Sequence, residues 1–249
     1  MNAGSIFTTL FNNSPFAIKM VKIAAPIFGQ HLKLTLEDLE GKTYDDYGTD
    51  REQQLKKIMA FGAQLSECFE ELEQVIIHLT IDKAKIDLLY EGRLHAEDYY
   101  KYHYDSFAIK LATILDLCGK LGITIFGLKI SDRRANGGSF LKSPGINETA
   151  PGQRLQALAE FLQDFIQHRH QKVHQAKSED NWFDRVVFWE RFGELLKDDF
   201  FKSPTLDELT KEKIAETVTE IRHAIDNTAK LAIQFMDALE PQLDVLIAN

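Results

Sequence analysis

Apolar residues recur at alternating spacings of three and four along three long stretches of this chain, and that recurrence constrains its fold more than any other feature. Leu55, Ile58, Gly62, Leu65, Phe69, Leu72, Ile76 and Leu79 form one such series. Ile214, Val218, Ile221, Ile225, Thr228, Ala232, Phe235 and Leu239 form another. At about 3.6 residues per turn each series falls on one side of a helix, so burying it requires a facing surface. Between them, Tyr100, Tyr104, Phe107, Leu111, Ile114, Leu115 and Cys118 make a broader stripe, and Ile109 and Ala112 lie away from its centre. That breadth predicts contact on more than one side. Proline and glycine are scarce after Gly62 outside a single segment, and no hairpin signal or internal repeat is present. The reading is an all-α chain, an antiparallel helical bundle of about five main helices. A coiled-coil dimer built on the same stripes is the competing arrangement.

The breaks in this pattern set the expected organisation. Residues 1–50 read as an N-terminal arm followed by an acidic, turn-rich linker, with the arm packed on a main domain over 51–249. Asp50 is placed to cap the first long helix. A second helix is expected from near Ala96 towards Phe126, a third from 153 to 176, and a fourth, rich in aromatics, from 181 to 201. The last should begin at Thr205 or Leu206 and reach Leu239, with Pro241 disturbing its end. Residues 131–152 contain four glycines and two prolines and read as a long loop.

A formal charge of -9 argues against a protein that coats nucleic acid broadly, because that needs a basic surface. It leaves room for a confined anion site. Cys68 and Cys118 each sit inside an apolar helical pattern and read as reduced, buried thiols of a cytoplasmic protein. No apolar run reaches the roughly 18 residues of a membrane helix, and the Phe-rich N-terminus lacks a signal-peptide core and cleavage site. No membrane partner is expected. An amphipathic segment at 16–28 is the one membrane-surface alternative to packing of the arm.

Against the acidic background, residues 165–178 contain no Asp or Glu, while His168, Arg169, His170, Lys172 and His174 fall within seven positions. A local cationic island on an acidic chain points to an anionic ligand. On a continuous third helix, Leu155, Leu158, Ala159, Leu162, Phe165 and Ile166 set the apolar face, and Arg169 continues its centre. A guanidinium there needs a carboxylate, an anion or a wet interface. Asp116 is a candidate structural partner. His170 and His174 have a spacing that metal sites use, but Gln171 stands where a zincin carries Glu, and the third ligand would have to come from His103 or His223. No metal and no other cofactor are expected.

Arg169-His170, three further residues and His174 resemble the motif of the HEPN superfamily, in which four to six residues separate an arginine from a histidine. Residues 51–240 also look like a HEPN bundle. The Tyr-rich helix at 99–118, a loop and then the motif helix resemble the order of elements in one branch of that superfamily. Position 170 departs from the commonest form, which has asparagine after the arginine. The resemblance implies a metal-independent endoribonuclease in the role of a toxin or defence effector, with an antitoxin or another protein as its partner. It also implies a homodimer whose two motifs share one cleft.

The residue types suit that chemistry. Histidine exchanges protons near neutral pH, and arginine offers a cationic fork to phosphate oxygens. His174 would be the acid/base, Arg169 the phosphate clamp and His170 a polar organiser. Lys172 and Lys177 would add positive field for RNA. Arg169 and His174 lie about 140° apart on an ideal helix, a second reason to expect a composite site between two subunits. The alternative is a non-catalytic HEPN-like module that dimerises or binds RNA, a nucleotide or a protein.

Other residues carry weaker readings. Arg133 and Arg134 are candidates for guiding RNA, or solvated loop arginines. Asp116 is a supporting carboxylate for a histidine or for Arg169, or a plain helix-surface acid. Tyr99, Tyr100, Tyr102 and Tyr104 are read as packing residues before base-stacking ones, and Trp182 and Trp189 as anchors of the fourth helix. Phosphate-loop, serine-hydrolase and zinc-ribbon signatures do not occur.

Overall fold

The structure, a computed structural model, describes residues 6–31, 33–34, 43, 47–91, 93–170 and 204–248. Every regular element among them is helical, so the chain is the all-α helical bundle its periodicity predicts. In chain order the helices are α1 (Ile6–Asn12), α2 (Pro15–His31), α3 (Asp50–Leu79), α4 (Lys83–Tyr90), α5 (Ala96–Ile125), α6 (Gly137–Leu141), α7 (Ala150–Phe161), α8 (Gln163–His170) and α9 (Pro204–Ala248). Short 3-10 turns at Asp132–Arg134 and Ile146–Glu148 flank α6. The expected fourth helix at 181–201, with Trp182 and Trp189, lies outside the described residues.

The chain divides into two compact units, and α3, α5 and α9 contribute to both. Unit 1 comprises 1–69, 113–161 and 228–249. In it the N-terminal arm is helical, and Phe7 stacks face to face on Phe69 of α3 with centroids 4.3 Å apart. Lys19 of α2 pairs with Glu240 at 2.6 Å and Asp244 at 2.5 Å on α9, and these two hydrogen bonds raise its pKa. Leu239 and Leu243 are fully buried on either side of Pro241. That burial and the Lys19 pairing hold the last turns of α9 helical. Pro241 therefore lies inside the helix rather than ending it, a correction to the expected terminus near Leu239.

Residues 131–152 are the larger correction. They form an ordered layer, with Phe140 and Ile146 buried, rather than a loose loop. Asn136 caps α6: its side chain accepts from the Ser139 backbone N–H at 2.8 Å, and the Ser139 hydroxyl accepts from the Asn136 backbone N–H at 2.9 Å. The glycines serve contact more than flexibility. A Cβ on Gly119 of α5 would strike the backbone of Asn136 and Gly137, so α6 approaches α5 backbone to backbone there.

Unit 2 comprises 70–112 and 162–227. In it α3 and α5 run antiparallel: Glu71 pairs with Lys110, and His78, the penultimate residue of α3, meets Tyr99 near the start of α5. Two boundaries differ from expectation. The first cap is Thr49, which exchanges hydrogen bonds with Glu52, so Asp50 is the first helical residue and not the cap. The third helix starts at Ala150 and is interrupted at Leu162, giving α7 and α8.

Candidate functional site

α8 carries the beginning of the cationic motif. Phe165 and Ile166 are half-buried, whereas Gln163, Asp164 and Gln167 are exposed. Phe165 anchors the helix edge-on against Phe107 of α5, with centroids 5.5 Å apart. With the interruption at Leu162, Arg169 stands on a different helix from Leu155 and Leu158. Within α8, position 169 lies four residues after Phe165 and three after Ile166, on the same side of the helix. Only the backbone is described at Arg169 and His170. Lys172, His174 and Lys177 lie outside the described residues.

The other candidates are on the described part of the chain. Arg133 and Arg134 form the exposed 3-10 turn in unit 1, held by their backbone while their side chains face solvent. Asp116 is half-buried on α5 in unit 1 and engaged in an interaction of its own. Among the described residues no group of three or more His, Cys, Asp or Glu could hold a metal ion. No described helix is long and apolar enough to cross a membrane. Cys68 and Cys118 are both buried and neither forms a disulfide, and burial pushes the Cys118 thiol up.

The tyrosines divide by environment. Tyr99 and Tyr100 are buried, Tyr104 is half-buried and Tyr102 is exposed. Tyr100 donates to the Ile81 carbonyl at 2.6 Å; burial, with the Glu97 and Asp82 charges behind it, pushes its phenol up to about 12. The Tyr99 hydroxyl and His78 Nδ1 share a 2.6 Å hydrogen bond. His78 also stacks on His103, with centroids 4.1 Å apart and rings 10° from parallel. Burial and then the neighbouring His78 push His103 down to about 4, so it is neutral at pH 7.

Unit 2 also holds a cleft of about 720 Å³ that the sequence reading missed. Leu79, Ile81, Ile214 and Val218 give it an apolar floor. Asp82, Lys83 and Asp87 line it from the α4 side, and Lys211 and Arg222 from α9. Asp82 is the N-cap of α4 and accepts from the Ala84 backbone N–H at 2.9 Å. None of the lining residues belongs to α8. These residues are more than a hundred positions apart in the chain, so no local motif announces the cleft. The Asp82 cap before an apolar position at Ile86 was the signal that could have located α4.

No protein family, no curated protein and no solved structure matches the chain.

Proposed function

We propose that this protein is a HEPN-like, metal-independent endoribonuclease that works as a homodimer. The observation that carries the reading is the start of the Arg169-His170-x-x-x-His174 sequence on α8, a helix anchored through Phe165 on Phe107 in an all-helical chain. In the proposed reaction the ribose 2′-oxygen attacks the adjacent phosphorus as its proton is removed. The 5′-oxygen of the next nucleotide leaves with a proton, and a 2′,3′-cyclic phosphate remains. His174 exchanges the protons, Arg169 holds the phosphate oxygens and His170 orients the pair. Lys172 and Lys177 add positive field, with Arg133 and Arg134 as further RNA contacts and Asp116 as a supporting carboxylate. A toxin or defence role, with an antitoxin as protein partner, belongs to this reading.

The test is cleavage of RNA in the presence of EDTA. Wild type should yield 5′-hydroxyl and cyclic-phosphate ends, and folded Arg169→Ala and His174→Ala variants should each lose activity by at least about a hundredfold. Wild-type rates in both variants would end the assignment.

The net charge of -9 favours a second reading, a module that binds RNA, a nucleotide or a protein without cutting. It predicts binding or dimerisation with no motif-dependent cleavage. Sedimentation of the purified protein checks the shared premise, since a strict monomer is incompatible with a composite site.

A further inference from the structure

The cleft in unit 2 has a charge arrangement that selects a class of ligand. Its α4 side presents Asp82 and Asp87, and its α9 side presents Lys211 and Arg222. The remaining cation, Lys83, donates to the buried Glu97 at 2.8 Å, so its charge is already met. Among the described residues none of the four takes part in an ion pair. Asp82 uses Oδ1 to cap α4 and keeps Oδ2 for another donor.

Two acids on one side of a cavity and two bases on the other leave opposite charges separated across an apolar floor. An anion is attracted by α9 and repelled by α4, and a cation meets the reverse. A neutral apolar molecule would use the floor and none of the four exposed charges. A zwitterion with an apolar middle satisfies both sides and the floor together. The volume lies within the several hundred cubic ångströms usual for small-molecule sites.

We propose that this cleft binds a free short peptide of apolar sequence, its terminal ammonium towards the α4 side that Asp82 and Asp87 line, its carboxylate towards the α9 side that Lys211 and Arg222 line, and its side chains on Leu79, Ile81, Ile214 and Val218. The site is separate from the α8 motif and does not depend on the ribonuclease reading.

The experiment titrates tri-leucine with free termini into the full-length, 15N-labelled protein, alongside N-acetyl-tri-leucine and tri-leucine amide. Free tri-leucine should give saturable shifts at amides of 79–87 and 210–222, and each blocked form should bind at least about tenfold more weakly. Two variants repeat the titration: Asp82→Asn with Asp87→Asn, in which Asn still caps α4, and Lys211→Gln with Arg222→Gln on exposed positions of α9. Each should weaken free tri-leucine by a similar factor. No saturable shift up to about 10 mM overturns the proposal, since that is weaker than any specific site of this kind. Equal binding of the blocked peptides overturns it too, and so does equal binding by the folded variants. The blocked peptides keep the test decisive should a variant fail to fold.

Discussion

Residues 131–161 of unit 1 and residues 79–91 of unit 2 are both short helical connections next to long helices, yet they are built in opposite ways. The first, rich in glycine and proline, packs tightly: Phe140 and Ile146 are buried, and Gly119 and Gly137 bring two backbones together. The second, rich in helix formers, buries only Ile86 of α4 and leaves Leu88 and Leu89 exposed at 80% and 70%. Composition alone would rank them the other way round. Tightness follows how closely the backbone approaches a neighbour and how many large side chains it buries there; a stretch of good helix formers provides neither.

The sharpest way to break this comparison is to open the tight region. Phe140 is fully buried and meets Phe126 and Phe235 edge-on. Phe140→Ala should cost about 3–5 kcal/mol in urea unfolding. Gly119→Ala should follow at about 1–3 kcal/mol, because the added Cβ lands on the backbone of Asn136 and Gly137, which a side-chain rotation cannot relieve. A loss below about 0.5 kcal/mol in both would mean that 131–152 is loose after all, as its composition suggests. Ile86→Ala, at the one buried position of α4, should cost about 2 kcal/mol, the low end for such a change, because so short a helix can yield locally.

This contrast also explains what was legible in the sequence. The stripes of α3 and α5 placed those helices almost to the residue, since a long amphipathic helix repeats its signal over many turns. The layer at 131–152 was hidden because a glycine that permits close contact reads the same as a glycine that permits freedom. Asn136 and Ser139 held the clue, as reciprocal caps just before Phe140. Pro241 misled because the Lys19 pairing and the burial of Leu239 and Leu243 that hold the helix there come from tertiary packing, and the stop at Leu162 has no marker in the local sequence. For the candidate site, Arg169 and His174 were legible as a motif. The cleft was not, because Asp82 and Arg222 come together only through folding.

A fall in pH from 7 to 4 acts on His103 of unit 2. Burial and His78 hold His103 down at about 4, against an ordinary value of 6.5. The unfolded chain therefore binds the proton more readily between those values. Stability from the neutral ring is fully present above pH 6.5 and falls as the pH drops towards 4. Replacing His103 with Asn should flatten this slope in melts from pH 7 to pH 4. An unchanged slope would remove His103, stacked on His78 and edge-on to Tyr99 and Tyr102, as its source.

The smallest effects are expected at the two ends of α4, and they test whether that helix responds separately from the tight region. Asp82 caps its start, so Asp82→Ala should cost about 1 kcal/mol while Asp82→Asn costs little. At its end Glu91 holds a left-handed backbone, φ 54°, which an L side chain adopts at a cost that glycine avoids. Glu91→Gly should therefore stabilise α4 by up to about 1 kcal/mol, less the exposed and weak pairing of Glu91 with Arg93. Hydrogen exchange reads both changes. Amides of 84–90 should exchange faster in Asp82→Ala and more slowly in Glu91→Gly, while those around Phe140 keep their wild-type rates. Equal shifts around Phe140 would show that the two connections unfold together, and the difference in packing would then have no counterpart in local stability.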